Sequence, residues 1–341
     1  MNIRKIAELA GVSVATVSRV FNHPERVLPE TRERVLAITE AHDYTPNWLA
    51  RGLNLGTTKT IALLVPDIDS DLHRNIISGV ETVADNKGFV VILSQTGGDP
   101  EAELEFMKTM KMRHVDGIIH VDSKLDVSHI PELDAMEIPR VHIGKNRDCG
   151  CDMLVYLDFE EAAYRMARHL GRLGHHVLGI LSDERTSHLS LLVEPGIERA
   201  SRELKVPMRT IYFSEAGNAR GGYFAVQKMI QKNELPEAFV TENDLQAIGA
   251  LKAARDAGLV IPDEMALACF NDSVICKVVT PAITSIEMPA SKLGMTAARL
   301  LFDRLDKGES DDAITHELIL QPKLKIRASC GNKSDIFELF D

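Results

Sequence analysis

The sequence predicts a small all-α helix-turn-helix domain followed by an α/β core of two parallel-sheet lobes. Three observations carry that reading. The first 56 residues repeat apolar side chains at helical spacing around a glycine-containing turn. From about residue 60, short apolar runs alternate with helical stretches, the pattern of parallel strands joined by helical crossovers. The alternation continues for roughly 270 residues, more than one ordinary sheet uses, so two similar lobes are expected.

Composition bounds the rest. The chain has 341 residues, 45% of them hydrophobic, enough for real cores. No 18-residue apolar run argues for a membrane span, and Glu8 interrupts the start "MNIRKIAELAG" too early for a secretory signal. Five scattered cysteines fit a reducing cytoplasm better than a disulfide framework. Only Cys149 and Cys151 lie close, as "CGC". Without a second pair they read as two free thiols in a polar loop, and no metal or cofactor is expected. The net charge of −11 argues at first against nucleic acid. Residues 1–56, however, carry seven Lys/Arg against six Asp/Glu, so the acidity belongs to the larger C-terminal part.

The elements follow in order. "RKIAELAG" sets Ile6, Leu9 and Ala10 on one helical face, closed by Gly11, which tolerates a left-handed cap. Ser13 can cap the next helix, starting at Val14, whose Val17, Val20 and Phe21 face inward. Val14, Ala15, Ser18 and Arg19 then lie on other faces. Small apolar groups in the first turn permit close approach to thymine methyls. Thr16 and Ser18 offer hydroxyls to phosphates, and Arg19 reaches a guanine or a phosphate. A helix with that surface is built to lie in a DNA major groove. "PETRERVLAITEAH" forms a third helix, with Pro29 in its first turn and Val35 and Ile38 packing. The helix-turn-helix domain is placed at 1–46.

Pro46 then stops the chain, and residues 47–53 make two helical turns at most, weakened by Gly52. Such a segment suits folding on a partner, with Leu53 either a packing leucine or a wedge for a minor-groove base step. Trp48 receives no role from spacing. Residues 47–59 are therefore assigned as hinge helix and linker. In the core, 60–330, "TIALLV", "FVVIL", "DGIIHV", "HVLGIL", "EAFVT" and "MALACF" read as strands. Residues 72–87, 159–173, 219–232 and 244–257 read as helices. Residues 331–341 form a tail.

No Walker loop, G-x-S-x-G, H-E-x-x-H or G-x-G-x-x-G occurs, so no enzyme is expected. "GHH" at 174–176 reads as exposed loop. More informative are Asn243 with Asp244, and Asn271 with Asp272, at the ends of two apolar runs. Ligands of open α/β sheets bind at the carboxyl ends of strands, and amides with single carboxylates suit a polyhydroxylated molecule. For Asp244 and Asp272 taken alone, helix capping is the plainer reading.

The chain resembles the LacI/GalR family of transcription regulators over essentially its full length. The resemblance is carried by "IAELAGVSVATVSRVFN", "VLPETRERVL", "YTPNWLARGL", "TIALLVPDI", "VDGII", "TENDLQAIGALKAARDAGLVIPDEMAL" and "TSIEMPASKLGMTAARLL". It implies a core like periplasmic sugar-binding proteins of type I, no enzymatic activity, and a homodimer or tetramer. The partner implied is double-stranded, pseudo-palindromic operator DNA, bound by a cytoplasmic repressor that associates with the nucleoid. It implies that Leu53 is the minor-groove wedge and that Asn22 and Tyr44 hold phosphates, with Asn47 and Arg51 completing the DNA-binding set. It also implies a small-molecule effector, such as a sugar or a derivative, between the lobes, at Ser70, Leu72, Asp158, Val193, Asn243 and Asn271. Three positions depart from the family. Val193 stands where it has arginine, Asn271 where it has aspartate, and "SDLH" at 70–73 replaces its "NPFF". Loss of a bidentate Arg and a carboxylate leaves a sugar, another small metabolite or a protein co-effector as the controlling species. A pure ligand-binding protein is the remaining alternative.

Overall fold

A computed structural model describes residues 1–22, 24–44, 57–151, 153–183, 189–307 and 316–331. The N-terminal module holds three helices, α1 (Ile3–Ala10), α2 (Val14–Asn22) and α3 (Pro29–Ala41). Asn2 caps α1 by accepting from the Lys5 amide, and Gly11 ends it in the left-handed region at φ 63°. Ser13 Oγ then accepts from the Thr16 amide at 3.1 Å, opening α2. Ile6, Ala7, Ala10, Val17, Val20 and Val35 form the module's core, with Phe21, Ile38 and Tyr44 half-buried against it. The expected inward face of α1 needs one correction. Ala7, not Leu9, joins Ile6 and Ala10, because α2 and α3 pack one position around the helix, and Leu9 stays exposed.

Two six-stranded sheets make up the remainder. The first has strand order β11-β5-β4-β3-β1-β2, all parallel: β1 (Thr60–Val65), β2 (Val90–Gln95), β3 (Gly117–Val121), β4 (Arg140–Ile143), β5 (Met153–Leu157) and β11 (His316–Leu320). The second runs β12-β10-β9-β8-β6-β7, from β6 (Val177–Asp183), β7 (Arg209–Glu215), β8 (Ala238–Thr241), β9 (Ala266–Phe270), β10 (Thr284–Glu287) and β12 (Lys323–Lys325). Only β12 pairs antiparallel. β1, β3, β5, β8 and β9 are buried along their whole length, as strands covered by helices on both faces must be.

Helices α4 (Asp71–Asn86), α5 (Pro100–Met112), α6 (Ile130–Asp134) and α12 (Ala290–Lys307) serve the first lobe. Helices α7 (Phe159–Arg172), α8 (Leu189–Leu204), α9 (Ala219–Lys232), α10 (Asp244–Asp256) and α11 (Val274–Val278) serve the second. The chain passes between lobes three times: after β5, after β10 and after β11. Each crossing leaves the carboxyl end of a strand, so the carboxyl ends of both sheets face the same gap. Phe159 and Met288, on two of the crossings, pack against both lobe cores.

Candidate functional site

α2 carries the surface expected of a groove-reading helix. Val17 and Val20 are buried, which turns Val14 (41% exposed), Ala15 and Arg19 outward. Arg19 pairs with no carboxylate among the described residues. Thr16 and Ser18 are half-buried, Thr16 through a 2.9 Å contact between its hydroxyl and that of Ser13. Tyr44 is half-buried at the module's edge, and burial raises its phenol above the ordinary range. Asn22 ends α2. Asn47, Trp48, Arg51 and Leu53 lie outside the described residues, as does the tail after Gly331.

Where the chain enters the core, Asp116 clamps it. Its Oδ2 accepts from Thr57 Oγ1 (2.6 Å) and the Lys59 amide (2.8 Å). Its Oδ1 accepts from the Thr58 amide (2.8 Å) and Thr58 Oγ1 (3.1 Å). Asp116 directly precedes β3, and the threonines directly precede β1. The clamp therefore sits at the amino ends of adjacent strands, opposite the interlobe gap. Nothing in the apolar periodicity marks this residue, because its partners lie 57 to 59 positions away.

Around the gap, the expected ligand residues are largely occupied by the protein itself. Ser70 caps α4 with a 3.5 Å contact to the His73 amide, and Leu72 packs on the first core. Asp158 Oδ1 accepts from the Glu161 amide at 2.9 Å, capping α7, while its Oδ2 accepts from Gln321 Nε2 at 3.2 Å. Asp158 thus joins two of the three crossings. Asn243 caps α10 through the Gln246 amide (2.9 Å) and donates to the Gly217 carbonyl (3.2 Å). Asn271 is half-buried and adopts φ 70°, the left-handed region in which asparagine is favoured. Val193 differs from expectation. It is 1% exposed in the second-lobe core with Tyr164 and Ile197, because α8 packs that face onto α7, so it offers no wall to the gap.

Neither His73 nor Asp122 was assigned a role by sequence. His73, buried on α4, places Nδ1 2.7 Å from the Asp67 carbonyl and Nε2 3.2 Å from Asp122 Oδ2. Burial opposes its charging, but the Asp122 carboxylate outweighs that and raises its pKa. Asp244 is buried; burial and then the facing Asp71 raise its carboxyl, offset in part by a Ser273 hydrogen bond. Asp71 itself pairs with Arg74 at 2.6 Å. Capping, the plainer reading of Asp272, is corrected. Ser273 caps α11, while Asp272 makes a two-oxygen pair with Arg327 (2.6 and 3.0 Å), both side chains 4% exposed. Burial alone would raise Asp272, yet Arg327 and Ser285 hold it below the usual carboxylate range. His175 and His176 are half-buried rather than exposed, with His175 Nε2 3.2 Å from the Cys330 carbonyl.

Comparison with known proteins adds to this geometry. A family model described as bacterial regulatory proteins, lacI family, matches residues 2–47, and a periplasmic binding protein-like domain matches 167–330. Catabolite control protein A of Priestia megaterium is 31% identical over 318 residues, 92% of this chain and 95% of that protein. The NTD biosynthesis operon regulator NtdR of Bacillus subtilis (strain 168) is 32% identical over 330 residues, 96% and 99% of the two chains. Among solved structures, the lac repressor dimer bound to operator and the anti-inducer ONPF superposes with a TM-score of 0.84. That match covers 97% of this chain and 99% of the other at 22% identity.

Proposed function

This chain belongs to the lacI family of bacterial regulatory proteins and is a DNA-binding transcriptional regulator, and on that premise we propose how it works. It represses transcription as a homodimer on a pseudo-palindromic operator, protein two-fold symmetry being mirrored in the half-sites. The observation that carries this is α2, with buried Val17 and Val20 behind exposed Val14, Ala15 and Arg19. Arg19 reads a base or phosphate, Val14 and Ala15 meet base edges, and Thr16 and Ser18 reach phosphates. Asn22, Tyr44, Asn47 and Arg51 add backbone contacts, and Leu53 of each subunit wedges into the central step.

The effector sits in the gap between the lobes, against the loop after β1 and the amino ends of α4 and α10. That rim carries Asp67, Asp69, Asp71, Asp122 and Asp244; among the described residues Asp71 pairs with Arg74 and Asp122 with His73. Such a rim supports a neutral polyhydroxylated or amine-bearing metabolite over a phosphorylated one, since an anion would meet an excess of carboxylates on this side of the gap. Ser70, Asn243 and Asn271 supply the remaining polar groups, with Asp158 acting on the crossings.

Selection from a random duplex pool, followed by binding assays, tests the DNA reading. The chosen sites are expected to be pseudo-palindromic, with Arg19→Ala costing about 1–3 kcal/mol per half-site. Selective binding at wild-type affinity by an Arg19→Ala, Val14→Ala variant would overturn it. A thermal-shift series of sugars, amino sugars and sugar phosphates tests the effector class, because a ligand of the native state raises the melting temperature. A shift from the phosphates alone would refute the acidic-rim argument.

A further inference from the structure

The "CGC" pair does not lie in a polar loop. Cys149 ends a short 3-10 turn (Arg147–Cys149), Cys151 follows two residues later, and both thiols are buried under α5 and α6 on one face of the first sheet. Two histidines meet them there. His120 on β3 and His142 on β4 are register partners, so both point to the same face, and both are fully buried. Their rings lie 4.8 Å apart.

The donor atoms converge. One ring nitrogen of His120, one of His142 and Cys149 Sγ lie within 4.8 Å of one another. His120 Nε2 is 3.0 Å from Cys151 Sγ. Neither ring nitrogen of His142 has a hydrogen-bond partner among the described residues, although a buried polar atom without one costs about 1–3 kcal/mol. A cation bound to one of these nitrogens would remove that cost.

His120 is also oriented as a metal ligand is. Its Nδ1 lies 2.8 Å from Glu103 Oε1, and Glu103 is itself buried on α5. A carboxylate holding one nitrogen fixes the tautomer and aims the other at the ion. Arg140 braces the thiol turn, donating to the Gly150 carbonyl at 3.0 Å and the Leu133 carbonyl at 2.6 Å.

We propose that His120, His142, Cys149 and Cys151 form a four-coordinate site for a thiophilic d10 cation of the Zn2+ class, with Glu103 orienting His120. Two thiolates and two imidazoles match the softness and tetrahedral preference of that ion. Loading expels the two thiol protons to solvent, so the two thiolates neutralise the dication. Ligand atoms of a tetrahedral zinc site lie about 3.5 Å apart, so the His120, His142 and Cys149 donors, within 4.8 Å of one another, need only a small contraction, and Cys151 would complete the set by moving from its present contact with His120. Bound metal ties β3, β4 and the entry to β5 together beneath the carboxyl ends that line the interlobe gap.

The test uses the intact protein. Chelator-stripped chain titrated with Zn2+ is expected to bind about one equivalent and to melt at a higher temperature. Co2+ in its place is expected to give strong visible ligand-field bands and near-ultraviolet thiolate-to-cobalt charge transfer. Cys149→Ser, Cys151→Ser and His142→Ala each weaken or abolish those bands, while Cys269→Ser in the second lobe retains them. Glu103→Gln lowers affinity by about 10- to 100-fold. Stripped wild-type protein that binds neither ion, with far-ultraviolet dichroism showing it folded, overturns the proposal without recourse to any variant. Cobalt bands that persist in a folded Cys149→Ser, Cys151→Ser variant overturn it equally.

Discussion

Asp116→Ala should release the chain that joins the DNA-binding module to the core. Three hydrogen bonds converge on this carboxylate, from Thr57 Oγ1, Thr58 N and Lys59 N, while the single Thr58 hydroxyl proton is shared between the His114 carbonyl (2.8 Å) and Asp116 (3.1 Å). Hydrogen bonds to a charged acceptor contribute about 1.5–3 kcal/mol each, so three would sum naively to about 4.5–9 kcal/mol. The sum is too large for two reasons. Asp116 is only half-buried, so the freed amides and hydroxyls return to water, and bonds sharing one acceptor are not additive. Discounted for both, the local loss is about 2–3 kcal/mol.

That loss is readable residue by residue. Protection of the Thr58 and Lys59 amides against hydrogen exchange should fall about 30- to 150-fold, since every 1.4 kcal/mol is tenfold. Amides of β9 in the second lobe provide the internal control and should change far less. Asp116→Asn is not a rescue, because it keeps one acceptor oxygen and turns an NH2 group toward two donors. In a reporter strain, either variant should weaken the response of operator binding to effector more than it weakens nonspecific binding. Unchanged protection at Thr58 and Lys59 in Asp116→Ala would refute the clamp, as would a wild-type effector response with protection lost.

Three further outcomes follow, two from the structure and the third from the wedge proposed for Leu53. Asp272→Ala strands Arg327 inside the second lobe and should cost about 3–5 kcal/mol in urea unfolding, much of it recovered by an apolar Asp272→Leu, Arg327→Met pair; equal costs for the single and double variants would contradict this. Because the folded-state Asp272 pKa is depressed, its contribution is present above about 3.9 and lost as pH falls through the lower folded value. His73, whose folded pKa is raised, behaves oppositely: its contribution is full below about 6.5 and disappears as pH rises through the raised value, and NMR titration should show Asp122→Asn lowering that pKa. An Asp122→Asn protein with an unmoved His73 titration would exclude the pair as the cause. Leu53→Ala should weaken operator binding while leaving salt-sensitive nonspecific binding nearly intact, and parallel losses in both would remove the wedge.

Short-range signals made the N-terminal module legible. Gly11, Ser13 and the Val17–Val20 spacing act within a few residues, and each appears in the structure as read. The strands that were legible, such as Thr60–Val65 and Ala266–Phe270, are unbroken apolar runs buried on both faces. Others escaped for physical reasons. β4 has four residues and begins with Arg140; β7 lies at a sheet edge and alternates in exposure; β12 has three residues, two of them lysines. Site chemistry was less legible than fold, because its partners are distant in sequence. The Asp272–Arg327 pair spans 55 residues and the Glu103–His120 pair connects a helix to a strand, so no local spacing announces either. Val193 shows the converse limit, since its position in the family pattern says where a ligand group stands elsewhere but not which way this side chain turns.

If the effector binds in the gap as proposed, the placement of clamp and gap on one sheet offers a route by which it would govern DNA binding without touching it. β1 and β3 are fully buried strands of the same lobe; the clamp lies at their amino ends, and His73, Asp122 and Asp71 lie at the opposite side. A buried parallel sheet deforms little, so the first lobe moves as one body between those ends. The three crossings, two of them joined through Asp158 and Gln321, favour rotation of one lobe against the other over separation. On the function proposed above, an effector that spans the gap would select one rotation, and the clamp would pass that choice to residues 57–59. The energy required is modest. A ten- to hundredfold change in operator affinity needs about 1.4–2.8 kcal/mol of differential binding. One or two hydrogen bonds made in only one lobe arrangement meet that requirement, at about 0.5–1.5 kcal/mol when neutral and more when charged. The proposed switch would therefore need no large rearrangement of either core, only an effector that distinguishes two orientations of Asp71 and Asp244, whose carboxylates already act on each other across the gap.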